Sequence, residues 1–314
     1  MMIEVGLLTL KNVSVLLIFI ALGYFLQHSH KFPEDAAKVI STLTTLLFLP
    51  AYSINNLAQN FTLETIGQKA ALFGFGILFT AVAIALGLLL ARIFGKDIFD
   101  RHSLTYAFTF PNYGYFGYPL IEGVFGAEML ADFLIFTIPF GIACHTFGYI
   151  LFSPEKKINW KKVLLTPAII AVIIGCTIGI SGLKLPPLVT SVLTTAGSCM
   201  SPMSMLLAGF LLGRFPVKKM LSSFRAYWLS VIRMIGIPVL FGIILFVCGV
   251  RGDLFLLPLL TSCLPLGLNL VLFPESYGLE ESAASNARIC FVSILLAVVI
   301  LPINYAILVY LAGI

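Results

Sequence analysis

Charge is what this sequence has least of: Asp, Glu, Lys and Arg together make up 11% of its 314 residues. Soluble domains carry about 25%, so the chain has too few polar groups to clothe a globule in water. It has four histidines and two tryptophans, and it contains no HExxH, GxSxG or CxxC pattern. Metal-dependent and nucleophilic enzymes rest on such patterns, which argues against an intramembrane enzyme. The six cysteines lie one at a time in apolar stretches, so they read as small packing residues and not as a disulfide or metal framework. A cleavable signal is not expected either: the first apolar stretch begins with Glu4 instead of a basic cluster and runs too long. No cofactor-binding or ATP-binding pattern is present, and nothing points to a nucleic-acid partner.

What fills the chain is hydrocarbon: 60% of residues are hydrophobic and the mean hydropathy is +1.05. A bilayer span needs about 20 apolar residues, so there is room for about ten. The expectation is an all-α polytopic membrane protein. Breaks in hydropathy place spans at about 5–26, 36–59, 70–94, 103–126 and 129–152, then 163–183, 189–213, 224–250, 255–277 and 282–312. A short basic link, 154–162, divides the chain into halves at 1–153 and 163–314.

Lys and Arg collect in alternate links. Lys31, Lys38, Arg92, Lys96, Arg101, Lys156, Lys157, Lys161, Lys162, Arg214, Lys218, Lys219 and Arg225 fall on one side, and chiefly Lys69, Lys184 and Arg251 on the other. The bias, about four to one, puts both termini on the non-cytoplasmic side. The net charge of +5 is therefore mostly a topology signal.

The halves echo each other. Pro50 sits mid-span in the second segment and Pro202 in the seventh. The fourth span holds Pro111 and leaves through Val124-Phe125-Gly126-Ala127-Glu128; the ninth holds Pro265 and leaves through Ser276-Tyr277-Gly278-Leu279-Glu280. Five spans per half make the repeat inverted, a plan common among secondary transporters.

The breaks carry the chemistry. In Pro111-Asn112-Tyr113-Gly114-Tyr115-Phe116-Gly117-Tyr118-Pro119, two prolines and two glycines interrupt one helix. In Leu264-Pro265-Leu266-Gly267-Leu268-Asn269 the interruption recurs. Hydrocarbon cannot satisfy the freed peptide groups, so both breaks must face protein or a wet cavity. Each also carries an Asn amide, both donor and acceptor. The expected site lies near the midplane where the breaks meet, and half-helix N-termini there suit an anion such as a carboxylate. Its candidate lining is Pro111, Asn112, Tyr113, Gly114, Pro265, Leu266, Gly267 and Asn269.

Leu22-Gly23-Tyr24, Phe48-Leu49-Pro50-Ala51, the Pro111–Pro119 stretch with Phe125-Gly126, Ala208-Gly209, Leu212-Gly213, Pro265 with Asn269, Phe273, Tyr277-Gly278 and Leu301-Pro302 occur in an order that resembles the auxin efflux carrier family. The resemblance runs from the first span to the last. It implies a five-plus-five fold like that of sodium/proton antiporters and bile-acid transporters, with a scaffold domain and a mobile transport domain that interleave both halves. It also implies helices four and nine crossing at their prolines, with Pro111 and Asn112 on one side of the crossing and Pro265 and Asn269 on the other. The long central loop of many plant members is absent, which argues against assuming auxin as substrate. Small dicarboxylates are the substrates this resemblance suggests.

Other polar residues divide between site and packing roles. Asn55, Asn56, Ser201 and Ser204 either line the site or bond between helices. Arg233 and Arg288 are candidates to pair with an anion, or else snorkel to the interface, as does Lys11. His145 is a proton relay or a packing histidine. Tyr113, Tyr115 and Tyr118 either wall a planar substrate or simply pack. Glu122 is expected solvated in the exit turn.

The resulting expectation is a multi-pass carrier of the plasma or bacterial inner membrane. It would move a small mono- or dicarboxylate by elevator-like alternating access at the crossing of helices four and nine, with a proton or sodium as coupling ion and a homodimer formed through the scaffold. The competing reading is a cation/proton antiporter or sodium-coupled symporter on the same scaffold. That chemistry wants a carboxylate at the crossing, and neither break has one beside it.

Overall fold

A computed structural model describes residues 2–29, 31–33, 35–154 and 160–312. Most of the basic link expected at 154–162 therefore lies outside the described residues. With no water to bond peptide groups inside a bilayer, the backbone must satisfy itself, and helices do so segment by segment. Helix α1 spans Met2–His28, α2 Ala36–Asn60, α3 Ile66–Phe94, α4 Ile98–Thr109 and α5 Tyr113–Phe152. Then come α6 at Trp160–Leu164, α7 at Pro167–Ser181, α8 at Pro187–Leu212 and α9 at Val217–Leu221. Helix α10 covers Phe224–Val247, α11 Asp253–Cys263, α12 Asn269–Ser276 and α13 Glu280–Ala312.

Among the described residues, seven of these helices are long and apolar enough to cross a bilayer (α1, α2, α3, α5, α8, α10 and α13), with α7 and α11 shorter but apolar. The exterior agrees, since Leu188, Val247, Ile173 and Val299 lie exposed on helix flanks. The chain is an integral, multi-pass membrane protein.

Proline and glycine shape the elements locally. Pro50, Pro119 and Pro238 each follow a widened, π-helical turn: Thr44–Phe48, Tyr113–Gly117 and Ile232–Gly236. A proline ring collides with the carbonyl four residues back and offers no donor, and the wider turn makes room for that carbonyl. The sixth expected span, 163–183, is instead divided: Pro167 holds Thr166 extended (ψ 139°) and separates α6 from α7. The two exit turns foreseen at Gly126 and Gly278 are present, with φ of 88° and 71°. Side chains other than glycine rarely tolerate that region, and α5 is in fact two helical pieces that meet at a kink at Gly126 (φ 88°, ψ 178°).

Helix α1 packs along the second part of α8 and against α13, while α2 packs against α7 and the first part of α8. Helix α3 lies against α4 and α5, and α13 gathers α10, α11 and α12. One close seam is α1 with α8, where a Cβ added to Gly23 would strike the Leu206 carbonyl and one on Gly209 the Ile20 carbonyl. Small residues drive helix association in lipid by permitting such approach.

Ion pairs fasten helix ends. Arg225 grips Asp100 at 2.9 and 2.6 Å and also reaches the Phe94 carbonyl at 3.1 Å. Burial alone would raise the Asp100 carboxyl, but the bonds from Arg225 and the Lys96 amide outweigh it and hold its pKa below the ordinary value. Lys69, counted among the charges of the links, is buried and paired with Asp132 of α5. Removing one member of a buried pair strands the other charge and costs about 3–5 kcal/mol, whereas an apolar pair is often tolerated. Asp132→Leu should therefore lower the thermal unfolding midpoint in detergent sharply, and Lys69→Met combined with Asp132→Leu should recover most of the loss. Equal damage from the single and double variants would show that the pair does not hold α3 to α5.

Candidate functional site

The two breaks meet. Pro111 and Leu266 form an isolated antiparallel β-bridge. The Asn112 amide donates to the Pro265 carbonyl at 2.8 Å, and the Gly267 amide to the Phe110 carbonyl at 3.4 Å. Each helix end thereby satisfies peptide groups that the other leaves open. The Leu266 amide finds its acceptor on a third element, Ser293 Oγ of α13, at 3.2 Å. Gly267 permits the contact: a Cβ there would stand 3.2 Å from both the Phe110 and Pro111 carbonyl oxygens.

Around this bridge the candidate residues separate into groups. Asn112 is 3% exposed, and its side-chain Nδ2 has no hydrogen-bond partner among the described residues. An unpaired buried donor costs about 1–3 kcal/mol, so its persistence beside two helix N-termini marks the place where a ligand acceptor would be rewarded. Asn269, half-buried at the start of α12, donates to Cys144 Sγ at 3.5 Å, and Tyr106 Oη lies 3.1 Å from the same sulfur. The Tyr113 ring packs on Tyr118 and Phe140, on the α5 side of the crossing.

Tyr115 points the other way, towards α2, with Ser41 and Thr45 beside its hydroxyl. Its carbonyl accepts from Ser204 Oγ at 3.0 Å, and Ser201 contributes its carbonyl to the same hydroxyl. Gly114 opens the widened turn between these tyrosines.

The remaining candidates lie further off. Asn55 bonds Gln59 and Thr194, away from the crossing. Asn56 donates to the Ala127 carbonyl at 2.9 Å. Arg288 is exposed on α13 and is not brought to the bridge. Arg233 is 2% exposed and reaches the crossing from the far side, donating to the Ser262 carbonyl at 2.7 Å.

Access is unequal on the two sides. A cavity of about 1060 Å³ opens among α1, α2, α8 and α12, lined by Lys38, Ser41, Thr42, Arg214, Leu272 and Glu275. Arg214 pairs with Glu275 across it. Two of its lining residues lie towards Tyr115: Ser41 is beside it, and Leu272 packs against the same apolar cluster. At the opposite end α1 and α2 are tied to α5. Asn12 donates to the Gly123 carbonyl at 3.1 Å, Asn56 to Ala127, and Tyr52 to Glu122 and to the Tyr118 carbonyl. Glu122 is exposed, as expected of the exit turn, and also accepts from the Tyr52 hydroxyl. Tyr52, Ser293 and Asn286, which bridges Ser103 and the Leu270 carbonyl, escape the sequence reading because each partner lies far away along the chain. The one available signal is a lone polar group inside a long apolar helix.

Ser293→Ala should strip the Leu266 amide of its acceptor and destabilise the protein by about 1–3 kcal/mol, read as a lower unfolding midpoint, with Ser293→Cys recovering part of it. An unchanged midpoint for Ser293→Ala would remove α13 from the support of the crossing.

A family model described as "Membrane transport protein" matches residues 8–159 and, a second time, residues 156–305. An uncharacterized transporter of Schizosaccharomyces pombe is 27% identical over 158 residues, which is 48% of this chain and 35% of that protein. The matched stretch thus spans about a third of the yeast protein's length.

Proposed function

The chain belongs to the membrane transport protein family, that of the auxin efflux carriers, and from this premise we propose that it carries a small organic anion, a mono- or dicarboxylate, by alternating access at the α5/α12 crossing. The observation that carries the proposal is the unpartnered Asn112 Nδ2, buried where the half-helices starting at Tyr113 and Asn269 present their N-termini. Helix N-termini carry about half a positive charge each and favour a negative ligand. No Asp or Glu occurs in 103–121 or 254–274, so the crossing offers a cation or proton no carboxylate, which argues against an antiporter of metal ions or protons.

In the mechanism we infer, α1, α2, α7 and α8 form the scaffold, while α3, α4, α5 and α10–α13 move. Matching helices of the two halves would run in opposite directions across the bilayer. The positive-inside bias places the Lys38–Arg214 cavity on the cytoplasmic side of a plasma or bacterial inner membrane, with both termini on the other. This conformation is then inward-open: solute would enter past Lys38 and Arg214, pass Tyr115 and reach the crossing. The bonds from Asn12, Tyr52 and Asn56 to α5 keep the outer side shut until the moving group shifts.

Radiolabelled malonate and succinate taken up by proteoliposomes test this reading. Wild-type protein should show saturable counterflow. Asn112→Ala and Asn269→Ala should each reduce it at least tenfold while the purified variants keep their elution profile and unfolding midpoint. Full transport by both variants would remove the site from the crossing. A second readout concerns the closure: Tyr52→Phe takes away the hydroxyl that bonds Glu122. It should raise the labelling of a cysteine placed at Gly114 by a membrane-impermeant thiol reagent added from outside, whereas unchanged labelling would mean that Tyr52 does not hold that side shut.

A further inference from the structure

Arg233 is a full positive charge buried in the membrane region, and no carboxylate among the described residues pairs with it. Burying an uncompensated charge is severely unfavourable, and an arginine does not escape by losing its proton. Something else must balance it.

Its surroundings identify what does. One guanidinium nitrogen bonds the Ser262 carbonyl, in the last turn of α11, and Nε has no partner. The small void beside it, about 10 Å³, is bordered by Thr109, Pro111, Thr261 and Ser262. That volume holds about one water molecule, far too little for an organic acid. Thr109 closes α4 and Cys263 closes α11, so the guanidinium stands at the C-terminal ends of both half-helices that run into the crossing. Each such end carries about half a negative charge. Together they offer roughly one, which matches one arginine.

We propose that Arg233 sets the sign of the ligand. It neutralises the two negative half-helix ends on its own side of the bridge, and the two positive ends at Tyr113 and Asn269 are left as the field the solute meets. Without Arg233 the four ends nearly cancel, and the crossing loses its preference for anions. Arg233 is thus a positioning residue that acts through the helix ends, not a partner of the substrate. The choice of an anion rests on the carrier reading above, whereas the balance of charge around Arg233 does not.

The test compares Arg233→Lys, which keeps the charge, with Arg233→Gln, which keeps a donor for the Ser262 carbonyl but no charge. Malonate and succinate uptake into proteoliposomes is measured as KM and kcat, and thermal unfolding is followed in detergent. Lys should remain within about threefold of wild type in KM. Gln should raise KM roughly tenfold, the size a unit charge exerts over about 10 Å at an effective dielectric near 20, with a smaller change in kcat. Gln behaving as wild type while Lys fails would show that Arg233 serves only as a hydrogen-bond donor and would overturn the proposal. If wild-type protein takes up neither acid, the substrate reading fails by itself and the unfolding midpoints decide on Arg233. Lys melting clearly above Gln supports charge compensation, and equal midpoints, or Gln above Lys, refute it.

Discussion

Every peptide group inside a bilayer needs a partner from the protein, and this chain interrupts two of its helices where no water is at hand. The bridge between Pro111 and Leu266 is the answer to that constraint. A single broken helix would leave its amides and carbonyls stranded. Two breaks brought face to face exchange them, Asn112 to Pro265 and Gly267 to Phe110, and Ser293 supplies what the exchange leaves over. Only after the backbone is settled does an unpaired group mean anything, and within the two breaks a buried side-chain donor, the Asn112 amide, is left without a partner among the described residues. A backbone defect has been converted into a polar spot of fixed position within an apolar protein.

The same constraint separates tight seams from loose ones. Where α1 meets α8, glycine brings main chain against main chain, and the contact cannot slide without collision. Where α1 and α2 meet α5, the ties are individual hydrogen bonds from Asn12, Tyr52 and Asn56. Single hydrogen bonds contribute only about 0.5–1.5 kcal/mol each, so a few of them hold one arrangement without forbidding another. The wide cavity sits on the opposite side of the same seam, an asymmetry that fits the alternating access proposed above.

What the residues foretold, and what they did not, divides along sequence distance. Proline and glycine act on the backbone within a turn of themselves, and so the breaks at Pro111 and Pro265 and the exit turns at Gly126 and Gly278 were legible from local pattern alone. The split at Pro167 was equally local and was hidden only by the apolar residues on both sides of it. Partnerships are different. Nothing near Lys69 announces Asp132, 63 positions away, and nothing near Tyr52 announces Glu122. Charge type alone counted Lys69 with the links, whereas the packing of α3 on α5 buries it. Arg288 and Arg233 looked equivalent as charges in apolar helices; the register of each helix exposes the first and buries the second.

That last contrast matters for selectivity. Antiporters of cations need an acid at the centre, and this chain places an arginine beside its crossing and no carboxylate within either break. The four half-helix ends have fixed polarity, two negative and two positive, because peptide dipoles point along the helix. A protein with this architecture cannot remove either sign, but it can cover one of them. On the proposal above, covering the C-terminal ends with a buried guanidinium would yield an anion site, and covering the N-terminal ends with a carboxylate would yield a cation site from the same backbone. A change of ion sign would thus take a change in side chains while the bridge that holds the helices together stayed as it is, since no atom of the Pro111–Leu266 contact depends on which ends are neutralised.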